Sequence, residues 1–353
     1  MPAPALMLLG LALTQHCNLR CPHCIRDDVT TPLWLEPALV RRVVKDARAL
    51  FGEVRVSLTG GEPTIHPQWD EIVDAFAADA VSYRFVSNGW HMRRLIPSLD
   101  RHAPAHVRLS LSGGTAEVHD ADRGRDSFRR VLLAVALLTS RAIPTSLSLV
   151  IDRRSRHQLR LTADLAESLG CVGLAFILPQ PVPGSVERDS DLAPHEWVTV
   201  RREVLALAAE AGRRTPIHLD YGAPSDEREK SCDTFARERI YVDAHGRLSL
   251  CCQLSEYGGG EGDVVADLNR ISLLDAWPDY LAALEAQHAR SRPVAGHDDP
   301  FDAFPCIRCA RSMGKMEWIR AYPESAWTGA AGSAALALPL APARDVLVTL
   351  ARA

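Results

Sequence analysis

Three thiols stand close together at Cys17, Cys21 and Cys24, and no other stretch of this sequence is so well spaced for chemistry. Three cysteines cannot pair among themselves without leaving one over. At spacings of four and three they can converge from one irregular loop on a single soft metal centre. Thiolates select zinc, copper(I) or iron–sulfur clusters. Tetrahedral zinc needs a fourth protein ligand, and His23 lies between two of the cysteines, where its ring points away. An iron–sulfur cubane held by three protein thiolates keeps one iron open for something else. A zinc loop and unrelated buried cysteines are the plainer alternatives.

A second set follows far downstream: Cys232, Cys251 and the pair Cys306 and Cys309. Four thiolates complete either a structural zinc site or a fully ligated cluster, and spacing alone slightly favours zinc. Cys252 adjoins Cys251 on the opposite face of a regular hairpin and reads first as a structural neighbour. Cys171 opens a core strand. His16, His23 and His66 flank the motifs and are not read as ligands. Between the two sets, Gly60-Gly61-Glu62-Pro63 is a turn whose paired glycines let backbone groups approach a ligand closely. Asn88 sits in a Ser-Asn-Gly turn. Ser110 and Ser112 end a strand ahead of His119, Asp120, Arg123 and Gly124; their hydroxyls can also serve simply to satisfy strand-end backbone groups.

CxxxCxxC in a loop after the first strand resembles the signature of the radical S-adenosylmethionine (radical SAM) superfamily. The resemblance implies a [4Fe–4S] cluster on Cys17, Cys21 and Cys24 whose open iron chelates the amino and carboxylate groups of S-adenosylmethionine. One electron then splits the C5′–S bond, and the 5′-deoxyadenosyl radical removes hydrogen from an unactivated carbon. By the same resemblance Gly60, Gly61, Glu62 and Pro63 line the S-adenosylmethionine site, with Asn88 a further cofactor residue. Ser110, Ser112 and Arg123 match a strand-end motif that contacts the ribose and the cofactor's carboxylate side, although Ser112 replaces the usual Asp.

The C-terminal cysteines resemble a SPASM/Twitch-type extension. Cys232, Cys251, Cys306 and Cys309 are its implied ligands for one auxiliary [4Fe–4S] cluster, since no cysteine follows Cys309. Cys252 is then a candidate hydrogen donor to a substrate radical. The implied reaction modifies a peptide or protein side chain by crosslinking, oxidation or epimerisation. The second reading is a dehydrogenase or epimerase of a small aminocyclitol or sugar, and the third a non-catalytic metal scaffold. A flavodoxin- or ferredoxin-type protein is the implied electron donor.

The elements that must position these residues alternate regularly. Strands are expected at 6–14, 54–59, 82–86, 106–112, 145–151 and 172–178. Helices are expected at 35–51, 67–80, 92–101, 127–141, 156–169 and 194–211. Strand–helix alternation calls for a parallel α/β sheet with right-handed crossovers, and six strands suit a partial, TIM-like (β/α)6 barrel. The motifs fall just after strand carboxyl ends, where α/β sites form. A charged linker is read at 221–230, a β-hairpin at 240–243 and 247–251, a flexible loop at 258–262, and a helix at 271–286. The domains are accordingly a barrel over 1–222, a small α+β auxiliary-cluster domain over 223–321, and an Ala/Pro-rich tail over 322–353.

Composition excludes several classes. A net charge of −4 and a pI near 6.4 argue against a general nucleic-acid binder. No apolar run reaches the roughly 20 residues that span a bilayer, and the apolar opening lacks the basic start of a signal peptide. Clustered CxxC spacings then suggest metal sites in a reducing cytoplasm.

Overall fold

The computed structural model describes residues 6–26, 32–219, 232–255, 257–292 and 304–328. They form one ten-stranded sheet in the order β10-β9-β8-β1-β2-β3-β4-β5-β6-β7. The strands are β1 (Met7–Thr14), β2 (Val54–Gly60), β3 (Ser82–Ser87), β4 (His106–Leu111), β5 (Thr145–Val150), β6 (Gly173–Ile177), β7 (Ile217–Leu219), β8 (Arg239–Val242), β9 (Arg247–Ser249) and β10 (Val264–Asp267). From β1 to β7 each neighbour is parallel, as crossover helices require. The expected α/β partial barrel is therefore present.

The helices are α1 (Pro37–Phe51), α2 (Trp69–Ala78), α3 (Met92–Arg101), α4 (Ala116–Arg123), α5 (Ser127–Thr139), α6 (Leu159–Ser168), α7 (Pro183–Glu187), α8 (Pro194–Ala208), α9 (Leu273–Arg290) and α10 (Pro305–Ser312). Local chemistry sets their ends. Pro37 opens α1 where its missing N–H is harmless, and Gly52 closes it at φ 79° with its N–H on Arg48 O. Along β2, Val54, Val56 and Leu58 are buried against the helices while Arg55 and Ser57 alternate to the other face.

Four features depart from the pattern read in the sequence. The three-residue β7 precedes the linker and was not expected. The segment carrying His119, Asp120 and Arg123 is a helix, α4. Asp120 then caps α5, accepting from Asp126 N (2.9 Å), Phe128 N (2.8 Å) and the Ser127 hydroxyl (2.9 Å). The hairpin β8–β9 does not stand apart, because β8 pairs in parallel with β1 and extends the barrel sheet. Cys306 and Cys309 lie within α10, where i,i+3 spacing puts them on one face. The linker at 221–230 and the tail beyond Thr328 lie outside the described residues. Trp327, at the start of the read tail, is 2% exposed and stands edge-on to Phe304.

Loop 258–262 is anchored. Lys315 Nζ forms an ion pair with Asp263 at 2.6 Å, both side chains 2% exposed, and donates to Tyr257 O and Gly260 O. Only glycine fits at 258, with φ 64° and an added Cβ 1.7 Å from Lys315 O.

Asp191, buried in the loop between α7 and α8, accepts from Ser185 Oγ at 3.0 Å. Burial pushes its carboxyl from 3.8 to about 6. An acid raised in this way favours the folded state fully below its unfolded value, and that contribution is lost as pH rises through the folded value. Asp191→Asn should therefore melt above wild type at pH 8, by on the order of 2–3 kcal/mol at most. The gap should close by pH 4. A gap that does not change with pH in thermal melts would assign the effect to packing instead.

Candidate functional site

A cleft of about 570 Å³ opens where β1 runs into the cysteine loop, and Cys17, Cys21 and Cys24 all line it. Its other walls come from Gly61 after β2, from Pro183 and Gly184 of α7, and from Tyr257, Gly258 and Trp318 of the C-terminal part. The loop is fixed by backbone contacts. Cys24 N bonds Cys21 O at 3.0 Å, and Leu19 N donates to Cys17 Sγ at 3.4 Å. Gly184 lies directly on it, since an added Cβ there would be 2.7 Å from Pro22 O.

The glycine turn is seated on the strand that feeds the loop. Gly61 N bonds Thr14 O at 2.7 Å and Glu62 N bonds His16 O at 2.9 Å. Gly60 adopts φ 128° and has no room for a side chain, with an added Cβ 2.1 Å from Thr14 O. The Glu62 carboxylate, 1% exposed, turns inward. It accepts from Thr64 N and Oγ1, from Ser87 Oγ at 2.8 Å and from Asn88 N at 2.7 Å. Burial raises its pKa while these bonds oppose the shift. Glu62 thus locks the ends of β2 and β3 together, and Pro63 starts the 3-10 turn that follows. Asn88 reaches the loop itself, donating from Nδ2 to Asn18 Oδ1 (2.9 Å) and Cys17 Sγ (3.8 Å).

Gly61 and the three cysteines meet at the cleft; Ser110, Ser112 and Arg123 lie outside its lining. Ser112 is 1% exposed. Its hydroxyl accepts from Arg123 Nε at 2.7 Å and its N–H bonds His119 Nδ1 at 3.3 Å. Arg123 acts electrostatically on the loop, opposing the rise that burial gives the Cys21 thiol. Sequence reasoning missed Asp122 and Arg154. Asp122 takes a hydrogen bond from Arg154 and stands 3.9 Å from His23 Nδ1, and burial lowers His23 to about 3, leaving its ring neutral. Gly184, Tyr257 and Trp318 were missed as well, because only the tertiary fold brings them to the cleft.

The four C-terminal cysteines ring a separate cavity of about 100 Å³, with Phe235, Leu284 and Gln287 among its walls. Gln287 Nε2 donates to Cys309 Sγ at 3.1 Å, and Gln253 N to Cys251 Sγ at 3.3 Å. Donors of this kind stabilise a thiolate. Cys252 lies outside that lining and packs on Ala12, Tyr241 and Ala244, with Arg239 Nη1 at 4.0 Å. A hydrogen bond between the two thiols raises Cys251 and lowers Cys252 to about 6, with Arg239 adding to the fall.

The donor sets suit polynuclear iron. Burial pushes Cys17 up to about 12 and raises Cys21, Cys232 and Cys309. Such thiols deprotonate only when a metal cation replaces the proton. Among the described residues no three His, Cys, Asp or Glu side chains converge as they would on a single ion. No cysteine is in a disulfide.

Comparison with known proteins agrees with this chemistry. The sequence model of the radical SAM superfamily matches residues 11–166. GTP 3′,8-cyclase of Synechococcus elongatus is 32% identical over 310 residues, spanning 82% of this chain and 90% of the cyclase. The chain belongs to the radical SAM superfamily. Membership implies a [4Fe–4S] cluster and S-adenosylmethionine, for which Cys17, Cys21, Cys24 and the glycine turn have the right donors. Mycofactocin maturase MftC of Mycobacterium tuberculosis is 34% identical over 164 residues, covering 45% of this chain but only 41% of the maturase. Streptococcus suis SuiB bound to S-adenosylmethionine shares the fold, with a TM-score of 0.65 over 87% of this chain and 72% of SuiB at 14% identity. No helix among the described residues is long and apolar enough to cross a membrane.

Proposed function

We propose that this radical SAM enzyme modifies a peptide or protein side chain at an unactivated C–H bond, by crosslinking, oxidation or epimerisation. The observation that carries the reading is the division of thiols on one continuous sheet. Three line one cleft, and four line a second, separate pocket. The resemblance to MftC, a maturase, supports the peptide, and SuiB has been solved with its precursor peptide SuiA. When bound, the cluster and S-adenosylmethionine supply an organic radical by reductive cleavage. The chain's own residues do the rest. Cys17, Cys21 and Cys24 hold three corners of the cluster, and the backbone at Gly60 and Gly61 borders the cofactor. Asn88 steadies the cysteine loop, while Ser110, Ser112 and Arg123 support its far side. Pro183, Tyr257 and Trp318 screen the cleft from water.

Cys232, Cys251, Cys306 and Cys309 are proposed to hold one auxiliary [4Fe–4S] cluster as a one-electron sink or source. Cys252, which is not among the four proposed ligands, is the proposed hydrogen-atom donor to a substrate radical. Its S–H bond breaks as the new C–H bond forms. One electron and one proton, the electron from the external reductant, then restore the thiol left as a thiyl radical. A flavodoxin- or ferredoxin-type protein is the proposed reductant. The proposed units are the barrel to residue 222 and the auxiliary-cluster part over 223–321, joined through the β1–β8 pairing.

A second reading, a small-molecule substrate, rests on the 90% coverage of GTP 3′,8-cyclase. The test takes the reduced, reconstituted protein with S-adenosylmethionine and the peptide encoded by any short reading frame adjoining its gene. The absence of such a frame counts against the peptide reading. Mass spectrometry should show modified peptide alongside 5′-deoxyadenosine, with deuterium carried from labelled peptide. Turnover of sugars or nucleotides with the peptide unchanged would refute the peptide reading.

A further inference from the structure

The sheet face turned away from the helices carries more positive charge than the proposed chemistry uses. Arg55, Arg84, Arg108 and Arg239 all lie on it, each alternating with helix-facing residues such as Val56, Phe85 and Val107. Strand register spreads them across this face, none directly opposite another. Leu8 of β1 has Arg55 on one side and Arg239 on the other. Arg84 stands between Ser57 and His106, and Arg108 between Val86 and Ser146. Burial lowers Arg84 to about 10, and Arg239, Arg108 and Arg55 push the same way against the lone pull of Asp233. Burial, with Arg108, Arg84 and Arg55, lowers His106 to about 4, so its ring is neutral at pH 7.

Arg239 is answered by Asp233 at 3.0 Å, and Arg55 and Arg108 have partners of their own. The Arg84 guanidinium makes no hydrogen bond or ion pair among the described residues. On the same face, Ser146 Oγ and His218 Nε2 are buried without a hydrogen-bond partner. Like charges gathered in a part-buried place destabilise a fold, and unpaired buried polar atoms are rare enough to need a reason.

We infer that this inner face is an anion site, where Arg84 binds a carboxylate or phosphate of the substrate and Ser146 and His218 add hydrogen bonds. The planar guanidinium fork matches either oxyanion in bidentate fashion. Arg84 lies three residues before Ser87, the end of β3, so the anion binds roughly 10 Å below the strand ends that carry the cysteine cleft. The substrate thus points its charged end down the barrel and its reacting C–H bond up. The inference rests on the proposed function only for which molecule owns the anion.

The test is titration calorimetry of the reconstituted protein with inorganic tripolyphosphate and, separately, with citrate. Wild type should bind, more weakly as salt rises. Arg84→Gln should bind at least tenfold more weakly, with Arg84→Lys in between. Arg101→Gln, which breaks an exposed pairing with Asp70 and Asp74, should match wild type. Without anion, Arg84→Gln should melt no lower than wild type, since it removes a charge that has no partner among the described residues. Tighter tripolyphosphate would point to a phosphorylated small molecule and tighter citrate to a carboxylate of a peptide, and either upholds the site if it depends on Arg84. No binding by wild type, or equal binding by Arg84→Gln, overturns it, as does a lower melting temperature for that variant. Failure of the peptide reading shows differently, as unmodified peptide with anion binding intact.

Discussion

Cys21→Ser, reconstituted anaerobically, is expected to hold about four irons where wild type holds about eight, and to form no 5′-deoxyadenosine. Cys21 is the middle of the three proposed ligands, and its carbonyl closes the turn to Cys24 at 3.0 Å. Serine keeps that turn but replaces a soft thiolate by a hydroxyl that iron–sulfur chemistry does not select. The informative contrast is Cys306→Ser in α10. That variant should lose a similar amount of iron, because its cavity is separate from the cleft, yet still cleave S-adenosylmethionine while releasing no modified substrate. Iron counts, ultraviolet–visible spectra and chromatography of 5′-deoxyadenosine check both. Retained cleavage in Cys21→Ser would remove that residue from the cofactor site. An iron content unchanged by Cys306→Ser would remove the auxiliary cluster.

Gly61→Ala is expected to have the second largest effect. An added Cβ would lie 2.1 Å from His16 O and 2.5 Å from Gln15 O. Both are backbone atoms, so no side chain can swing aside. The turn would have to lift from β1, losing the bonds from Gly61 N to Thr14 O and from Glu62 N to His16 O. Overpacking and two weakened backbone bonds together cost about 3 kcal/mol. The same displacement moves the glycine turn from the cysteine loop, so affinity for S-adenosylmethionine should fall at least tenfold in equilibrium dialysis. Gly212→Ala is the control. That glycine also has a positive φ, of 86°, but nothing lies within 4 Å of an added Cβ. It should cost about 1 kcal/mol and leave affinity unchanged. Equal affinities in the two variants would show that the glycine turn has no part in the cofactor site.

The parts of this site legible in the sequence are those made by short-range spacing. The cysteine loop, the glycine turn and the strand–helix alternation each occupy a contiguous stretch, and each lies where the spacing put it. Features missed were short or tertiary. With three residues, β7 is too brief to show a period of two. Nothing local says that β8 adds to the β1 edge, since that pairing joins positions more than two hundred residues apart. Arg55, Arg84 and Arg108 each read as the polar half of an alternating strand. Only the register shows that they share one face. Ser112 and Arg123 were legible as a motif, but the hydrogen bond between them turns both toward each other and away from the cleft lining.

The most direct test of the central claim is electron paramagnetic resonance of the dithionite-reduced, reconstituted protein with and without S-adenosylmethionine. A cluster held by Cys17, Cys21 and Cys24 alone has an open iron, so adding S-adenosylmethionine should change its spectrum, and the change should vanish in Cys21→Ser. A reduced cluster signal that S-adenosylmethionine leaves untouched in wild type would contradict the account.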